Sequence, residues 1–277
     1  MTKSILITGC SSGIGFDSAL ALHAAGWQVI ATCRKQTDCD RLERDFGLTS
    51  FLLDYQKPKT IIKALEQTLA VTGGRLDALF NNGAYALMGA VEDLPMDAMR
   101  DIFETNFFGW HDLTRQVMPI MRQQGHGRIL QNSSVLGFAA LRYRGAYNAT
   151  KFALEGLTDT MRLELADTNI DLVLIEPGPI RTEIRANAWQ QFQKWITVKG
   201  TAHEELYHNV LIPRLSATNP PADRFELGPE AVTEQVIKAL TVKNPKARYR
   251  ITTATKLMMI AKRLLSTKLL DKLAIRF

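Results

Sequence analysis

A tyrosine and a lysine stand four residues apart in the stretch Gly145-Ala-Tyr-Asn-Ala-Thr-Lys151. On a helix, residues i and i+4 share a face, so Tyr147 and Lys151 would point the same way. A free tyrosine titrates near pH ~10, and a fixed ammonium beside it favours the phenolate and lowers its pKa. The pair predicts a general acid for carbonyl reduction, or a base for alcohol oxidation. Alone, however, this spacing occurs by chance on the surfaces of many proteins.

A second chemical feature lies near the N-terminus, where an apolar run is followed by TGCSSGIG, from Thr8 to Gly15. Glycines permit a tight turn between a strand and a helix, and the free N–H groups of the first helical turn can hold a pyrophosphate. Many turns contain glycines for backbone reasons alone, but a strand-to-helix junction favours a dinucleotide site. Its candidate binding residues are Gly9, Ser11, Ser12, Gly13, Ile14 and Gly15.

The end of the second predicted strand indicates which dinucleotide binds. An acidic residue there would accept hydrogen bonds from the adenosine ribose and select NAD. The chain instead has Cys33-Arg34-Lys35, which offers two cations and no carboxylate. We therefore predict NADP(H), with Arg34 as the main contact of the 2′-phosphate because its planar guanidinium suits that group. The alternative is a solvated basic loop.

Apolar, β-branched runs alternate with stretches of helical periodicity along the chain. The predicted strands are Lys3–Thr8, Gln28–Thr32, Ser50–Leu53, Asp77–Phe80, Arg128–Gln131 and Asp171–Ile175. The helical stretches include Gly13–Ala25, Pro58–Val71, Met96–Gln124 and Ala149–Asp167. This alternation predicts the α/β class, with a single Rossmann-like, doubly wound parallel sheet and helices on both faces. The predicted domain spans residues 1–255. Its segment 183–227 interrupts the alternation of strands and helices and is predicted to be a lid insertion.

A further serine completes the chemical pattern, since Ser134 follows the fifth predicted strand and lies thirteen residues before Tyr147. Together with the glycine loop, this order of motifs resembles the short-chain dehydrogenase/reductase family, in its compact-subunit branch, over roughly residues 3 to 182. The resemblance implies that Ser134 hydrogen-bonds a substrate carbonyl, that Tyr147 transfers the proton and that Lys151 also holds the nicotinamide ribose. It also implies that Asn106 orders a water that continues the proton relay.

The same resemblance implies further cofactor contacts. Asp54, after the third predicted strand, matches an aspartate that contacts the adenine. Asn81 and Asn82 match cofactor-binding asparagines after the fourth strand. The loop that holds the carboxamide side of the nicotinamide is matched by Pro177, Gly178 and Thr182.

One departure from the family pattern lies directly after these asparagines. The family usually has Asn-Asn-Ala-Gly, whereas this chain has Asn81-Asn82-Gly83-Ala84. If the backbone at Ala84 needs a positive φ, alanine there costs roughly 1 kcal/mol or more. We therefore expect the loop to follow a different path, which would alter the adjacent substrate wall.

Apolar and aromatic residues surround the predicted site. The inserted segment supplies Trp189, Phe192, Trp195 and Tyr207, and other loops supply Tyr85, Leu87, Met88, Phe138, Leu141 and Tyr143. An apolar pocket suits a lipophilic aldehyde, ketone or alcohol as the substrate. The stretch Ile175–Thr182 is similar to family members that act on hydroxysteroids, retinoids or fatty aldehydes. The alternative is that these side chains only pack the lid onto the domain.

Composition narrows the class of protein. With 277 residues, 46% of them hydrophobic, the chain is long enough for one large α/β domain. Its 3 cysteines form neither a metal-ligand spacing nor a disulfide framework, and no secretory signal precedes the first apolar run, so we expect a cytoplasmic protein. The net charge of +6 comes from residues 238–277, which contain eleven Lys or Arg and one acid. The remaining chain is slightly acidic, which argues against nucleic-acid binding.

Residues 256–277 are predicted to form a basic, amphipathic extension of two short helices. The apolar side consists of Leu257, Ile260, Ala261 and Leu264, and then, beyond Ser266-Thr267, of Leu269, Leu270, Leu273 and Phe277. Lys262 and Arg263 interrupt the apolar run, which excludes a membrane span. Such helices favour peripheral contact with the inner face of an anionic membrane. The alternative is packing on the domain or on a second subunit, and we expect a homo-oligomer.

Two classes of function fit the sequence. The first is an NADP(H)-dependent carbonyl reductase or alcohol dehydrogenase, and the second is a non-catalytic NADP(H)-binding sensor on the same fold. A sensor has no need of Ser134, Tyr147 and Lys151 together, so their joint presence favours the enzyme. A sugar epimerase of the same broad family would need a larger C-terminal substrate domain, for which this chain has little room.

Overall fold

One seven-stranded parallel sheet forms the centre of the protein, with strand order β3-β2-β1-β4-β5-β6-β7. The structure is a computed structural model that describes residues 2–218 and 221–275. Its strands are β1 (Ser4–Thr8), β2 (Gln28–Cys33), β3 (Thr49–Leu52), β4 (Ala78–Asn81), β5 (Gly127–Asn132), β6 (Ile170–Glu176) and β7 (Arg248–Arg250). The six predicted strands are confirmed, each with bounds within one residue. Because β1 pairs with β2 on one side and β4 on the other, the order reverses there and opens a crevice at the carboxyl ends of these strands.

The seventh strand was not predicted from the sequence. β7 has only three residues, and two of them are arginines beside the buried Tyr249. Both arginine side chains reach Glu176 at the end of β6, each at 2.9 Å between Nε and a carboxylate oxygen. Since no apolar run marks this strand, only its pairing with β6 and with a buried carboxylate reveals it.

Helices cover both faces of the sheet, which confirms the doubly wound α/β class. They are α1 (Gly13–Ala24), α2 (Gln36–Phe46), α3 (Pro58–Thr72), α4 (Met96–Phe103), α5 (Gly109–Gln124), α6 (Gly145–Glu164), α7 (Ile184–Trp195), α8 (Glu204–Leu206), α9 (Ile212–Ser216), α10 (Glu230–Thr241), α11 (Thr253–Leu264) and α12 (Thr267–Ala274). Buried side chains of α1, α2 and α10 pack on one face of the sheet, and those of α3, α5 and α6 pack on the other.

Two helical predictions differ from the structure in detail. The stretch Met96–Gln124 is helical throughout, but its middle, Glu104–Phe108, is a π-helical turn that joins α4 to α5. The helix predicted over Ala149–Asp167 begins four residues earlier, at Gly145, and ends at Glu164. The earlier start places Tyr147 inside α6, because the backbone N–H of Asn148 already bonds to the carbonyl of Arg144.

A third apolar cluster joins the inserted segment to the body of the domain. Phe192 and Tyr207 are buried in it, and Trp189 and Trp195 pack against it. The Tyr207 hydroxyl accepts a hydrogen bond from the backbone N–H of Ala90 at 2.9 Å and donates to the Asp93 carboxylate. Packing of the lid onto the domain therefore accounts for Phe192 and Tyr207.

The loop after β4, where Gly83 and Ala84 stand in the reverse of the usual family order, has no backbone strain at Ala84. Within the part of the chain that the structure describes, the non-glycine residues with positive φ are Tyr143, Phe225 and Thr252, so Ala84 adopts an ordinary backbone conformation. A Cβ at Gly9 would lie 2.5 Å from the Gly83 Cα. The strain expected at Ala84 is therefore absent, and the close approach of two backbones is what requires glycine here.

Candidate active site

Tyr147 and Lys151 lie on one face of α6, where both are buried. The Lys151 Nζ donates a hydrogen bond of 2.7 Å to the carbonyl of Asn132, the last residue of β5. The same Nζ lies 4.2 Å from the centre of the Trp110 ring, and 5.6 Å from that of the Tyr147 ring. Ser134, two residues beyond β5, accepts a bond of 3.1 Å from the Leu136 N–H through its hydroxyl. The end of one strand and one helix face thus bring the serine, tyrosine and lysine together.

The phenol of Tyr147 is a neutral acid in this environment. Burial raises the pKa of Tyr147 to about 12, and interaction with the Ser134 hydroxyl acts in the opposite direction. The sequence had predicted that the lysine lowers the pKa of Tyr147, and this prediction is wrong. The lysine ammonium is directed at Asn132 and Trp110 instead, so desolvation of the phenolate outweighs it. A protonated phenol is the form that a proton donor requires.

Lys151 is itself strongly affected by the loss of water. Burial lowers the pKa of Lys151 to about 7, and the nearby carboxylate of Glu155 acts to raise it. The hydrogen bond to Asn132 and the face of the Trp110 ring are the contacts that support its positive charge. Only one of its three N–H donors has a protein acceptor among the described residues, so two can serve ribose hydroxyls.

A buried group of charges lies behind the lysine and was missed by the sequence analysis. Arg248 contacts Glu155 at 3.2 Å and Glu176 at 2.9 Å, and Arg250 also contacts Glu176 at 2.9 Å. Burial raises the pKa of Glu176 to about 7, with the Glu155 charge acting in the same direction and the arginines against it. The available sequence signal is the spacing of Lys151 and Glu155, which are four residues apart on α6.

Asn106 lies in the π-helical turn, where it is fully buried. Its amide oxygen accepts from the Tyr85 N–H at 3.1 Å, and its amide nitrogen donates to the Tyr85 carbonyl at 2.8 Å. The same nitrogen lies 3.5 Å from the Thr150 hydroxyl, on the turn of α6 before Lys151. The Asn106 side chain therefore holds the loop after β4 against the π-helical turn, and the relay water at this residue stays a prediction.

The glycine loop has the features that a pyrophosphate requires. Ser12 precedes α1 without capping it, and the first turn contains no acid, so its N–H groups are free to bind an anion. A Cβ at Gly15 would lie 2.4 Å from the Gly9 carbonyl, and one at Gly13 would lie 3.0 Å from the Thr182 methyl group. Thr182 therefore lies next to the first residue of α1, and its predicted contact with the nicotinamide stays a prediction. Ser11 and Ile14 belong to the same loop.

The adenosine end of the crevice is basic. Arg34 and Lys35 are exposed at the end of β2, and no carboxylate forms an ion pair with either one among the described residues. Arg41, which the sequence analysis missed, donates a 2.6 Å hydrogen bond to the Ser11 carbonyl. Asp54 accepts from the Gln56 N–H at 3.1 Å, which holds its carboxylate in a turn after β3.

Comparison with known proteins identifies the family. The family model described as short chain dehydrogenase matches residues 3–193. The chain belongs to this family. It is 40% identical over 273 residues to the uncharacterized oxidoreductase YbbO of Escherichia coli K12, with 99% of this chain and 94% of YbbO covered. It is 31% identical to retinol dehydrogenase 8 of Bos taurus, with 91% and 82% covered. A solved short-chain dehydrogenase of Streptomyces avermitilis matches with 28% identity, 95% of both chains covered and a TM-score of 0.77.

The two asparagines of this dehydrogenase act mainly within the fold. The Asn81 amide donates to Thr114 at 2.9 Å and accepts from the Tyr55 hydroxyl at 2.8 Å, so it is used in the core. Asn82 donates to the Thr8 carbonyl at 2.9 Å. The side-chain oxygen Oδ1 of Asn82 accepts a 2.8 Å hydrogen bond from the side-chain amide Nδ2 of Asn132, which links the glycine loop to the end of β5. Both side chains thus link strand ends, and their contact with the cofactor stays a prediction.

The loop after β6 packs against the residues after β5 and the segment after β7. The Pro177 carbonyl accepts from the Val135 N–H at 2.8 Å, and the Gly178 N–H donates to the Ile251 carbonyl at 3.2 Å. A Cβ at Gly178 would lie 2.1 Å from the Thr252 hydroxyl, so only glycine fits there. This loop is therefore fixed against both the serine region and the segment after β7.

An open cavity of about 440 Å³ lies next to the inserted segment and the residues just before α6. It is lined by Ala90, Val91, Glu92, Arg142, Tyr143 and His203. Tyr143, two residues before α6, has a φ of 61° and takes part in both the cavity wall and the apolar cluster of the inserted segment.

Replacing the proton donor tests the assignment of Tyr147. We expect Tyr147→Phe to lower the turnover number by at least ~100-fold, because the ring remains but the acidic proton is lost. Binding of the dinucleotide, measured by fluorescence titration, should persist. The matched control is Tyr143→Phe, which removes a hydroxyl four residues earlier and should retain most of the activity. A Tyr147→Phe protein with near wild-type turnover would exclude this mechanism.

Replacing Glu155 tests how the buried charges act on the lysine. Glu155 raises the pKa of Lys151, so Glu155→Gln should let the ammonium lose its proton at lower pH. The alkaline fall of kcat/KM for carbonyl reduction should then move to lower pH by up to ~1 unit, with the acid plateau retained. Glu164→Gln, at an exposed position of the same helix, is the control. An unchanged pH profile in a folded Glu155→Gln protein would show that Glu155 does not act on Lys151.

Proposed function

We propose that the protein is an NADP(H)-dependent oxidoreductase that reduces lipophilic aldehydes or ketones and oxidises the corresponding alcohols. The observation that carries the proposal is the buried set of Ser134, Tyr147 and Lys151 at the carboxyl edge of the sheet, beside a glycine loop with free N–H groups. No fixed carboxylate faces the phenol in this set. The arrangement suits proton transfer to an oxygen that gains negative charge.

The chemistry divides between the cofactor and the chain. When bound, the nicotinamide supplies or accepts the hydride. The Ser134 hydroxyl donates a hydrogen bond to the carbonyl oxygen of the substrate and orients it towards Tyr147. The phenol of Tyr147, kept neutral by burial, gives its proton to that oxygen as negative charge develops. Lys151 holds the ribose with its two free donors and stabilises the resulting phenolate.

The basic end of β2 supports NADP(H) over NAD. The 2′-phosphate of NADP(H) needs cations that have no other partner, and Arg34 and Lys35 meet this condition among the described residues. Arg41 adds a third cation at the glycine loop. An NAD site would instead place a carboxylate on the ribose hydroxyls, and the end of β2 has none.

The walls around the site support a lipophilic substrate. Tyr85, Leu87, Met88 and Leu136 are buried in the same apolar cluster as Tyr147 and the lid. The name of retinol dehydrogenase 8 indicates an apolar alcohol as the substrate of that relative. An apolar wall favours the longer alkyl chain because each buried methylene contributes about 0.8 kcal/mol.

The alternative of a non-catalytic sensor has no observation in its favour. A sensor requires the dinucleotide loop and can use a lysine on the ribose, but it has no need of a neutral phenol and a serine hydroxyl beside a buried lysine with a pKa lowered to about 7. Maintaining such a group costs stability, since burial disfavours its charged form. Its presence beside a neutral phenol supports the enzyme.

A series of aldehydes of increasing chain length tests the proposed reaction. We expect NADPH oxidation, followed by absorbance, with kcat/KM rising by about three- to fourfold per added methylene until the pocket is filled. An equal series of hydrophilic sugars should give little turnover. Absence of turnover with every carbonyl compound, although NADPH binds, would favour the sensor.

The choice of cofactor is tested by Arg34→Ala. Only NADPH carries the 2′-phosphate, so the variant should weaken NADPH binding by ~10-fold or more and leave NADH binding nearly unchanged. Arg44→Ala, at an exposed arginine of α2 that pairs with Asp45, is the matched control. Fluorescence titration of both cofactors decides the point, and equal losses for the two would mean that Arg34 does not contact the phosphate.

A further inference from the structure

The outward side of α11 is apolar, although this helix lies on the surface. Leu257, Ile260 and Leu264 are 53%, 54% and 78% exposed. They are spaced three and four residues apart, so they form one stripe along the helix. A surface helix of a soluble protein normally turns its apolar stripe towards the core, and this one turns it away.

The other side of α11 is already occupied by the body of the protein. Thr255 is fully buried, and the Lys262 ammonium donates to the Phe138 carbonyl and lies 5.2 Å from the centre of the Phe152 ring. The end of α12 is held as well, because the Arg142 guanidinium donates to the Ile275 carbonyl at 2.9 Å. The exposed stripe therefore cannot be buried by a simple rotation of the helix.

The second tail helix extends the same kind of surface. Leu269 and Ile275 are 50% and 54% exposed. We call the five residues Leu257, Ile260, Leu264, Leu269 and Ile275 the tail surface. Phe277, which was predicted on the apolar side of the second tail helix, lies with Arg276 outside the described part of the chain.

Basic side chains border the tail surface. Lys256, Arg263, Lys268 and Lys272 are all exposed, and Asp271 is the single acid in the described residues from 256 onwards. Lys256 and Arg263 are seven residues apart, so they follow one edge of the α11 stripe. Apolar residues that enter the acyl boundary, flanked by cations that meet anionic headgroups, make a surface complementary to an anionic bilayer.

We propose that the tail surface seats the protein on an anionic phospholipid membrane, with α11 lying in the plane of the interface. Among the described residues no helix is both long and apolar enough to cross a bilayer, so the contact is peripheral. This inference goes beyond the proposed hydride transfer and does not depend on it, because no residue of the tail surface belongs to the catalytic set.

Because the tail lies near the open cavity, membrane contact through the tail surface also brings that cavity towards lipophilic substrates. Arg142 lines the open cavity and also donates a hydrogen bond to the Ile275 carbonyl. Val91, on the same cavity, is 70% exposed. Docking through the tail surface therefore brings the cavity close to the bilayer, where a lipophilic carbonyl compound concentrates. Phe138, which accepts from Lys262, lies in the segment between Ser134 and Tyr147, so the tail is attached to the active-site region itself.

Vesicle co-sedimentation of the full-length protein tests the proposal. Wild-type protein should sediment with phosphatidylcholine vesicles that contain phosphatidylserine, sediment much less with phosphatidylcholine alone, and be released by high salt. Replacing the stripe in the triple variant Leu257→Gln, Ile260→Gln and Leu264→Gln should lower the bound fraction by about tenfold or more. The double variant Lys256→Gln and Arg263→Gln should weaken binding only to the anionic vesicles.

Matched controls distinguish loss of the tail surface from unfolding of the protein and from loss of its activity. The variant Ile62→Gln, Val71→Gln and Leu163→Gln removes three exposed apolar side chains from α3 and α6, and should bind vesicles like the wild type. Reduction of a short, water-soluble aldehyde should be unchanged in all variants, and its absence in the wild type would count against the proposed reaction only.

Wild-type protein that does not bind anionic vesicles, or stripe variants that still bind them, would overturn the membrane proposal. Light scattering that shows a smaller assembly for the stripe variant would instead assign the tail surface to a second copy of this chain.

Discussion

The ammonium of Lys151 is held almost entirely out of water, and the arrangement of the active site follows from that constraint. Removing a charge from water costs on the order of several kcal/mol unless nearby groups stabilise it. Here the stabilising groups are the Asn132 carbonyl at the end of β5, the Trp110 ring on α5 and the Glu155 carboxylate one turn along α6. One strand and two helices must therefore keep a fixed relation to each other for the lysine to keep its charge.

The same strand ends also position the cofactor loop. Asn82 bonds to the Thr8 carbonyl on one side and to the Asn132 amide on the other, so the ends of β1, β4 and β5 are linked laterally. The close approach of Gly9 and Gly83 brings two backbones together where a side chain would not fit. Lateral links of this kind fix the distance between the glycine loop and the face of α6 that carries Tyr147 and Lys151.

Burial, more than the interaction between the two groups, sets the protonation of Tyr147 and Lys151. It raises the pKa of Tyr147 to about 12 and lowers that of Lys151 to about 7, so each group is pushed towards its neutral form. A neutral phenol suits the reduction of a carbonyl at neutral pH, whereas oxidation of an alcohol requires its phenolate. The carboxylates and arginines behind α6 counteract part of this effect on the lysine, which gives the short strand β7 a connection to the chemistry. The later part of the inserted segment and the tail lie beyond the residues matched by the family model.

Much of this protein was determined by local sequence alone. Apolar runs and glycine positions predicted six strands and the dinucleotide loop, because a buried parallel strand and a tight βα turn each impose their own residue types. The motif order identified Ser134, Tyr147 and Lys151, and the amphipathic periodicity predicted two tail helices.

Tertiary structure alone decided which side chains are free to act. It placed Asn81 and the Asn106 amide in structural roles, revealed β7 through its pairing with Glu176, and set both catalytic pKa values through burial. It also turned the apolar stripe of α11 outwards. Residue spacing predicts which groups share a helix face, but burial, charge and free hydrogen-bonding capacity depend on neighbours that are distant in the chain.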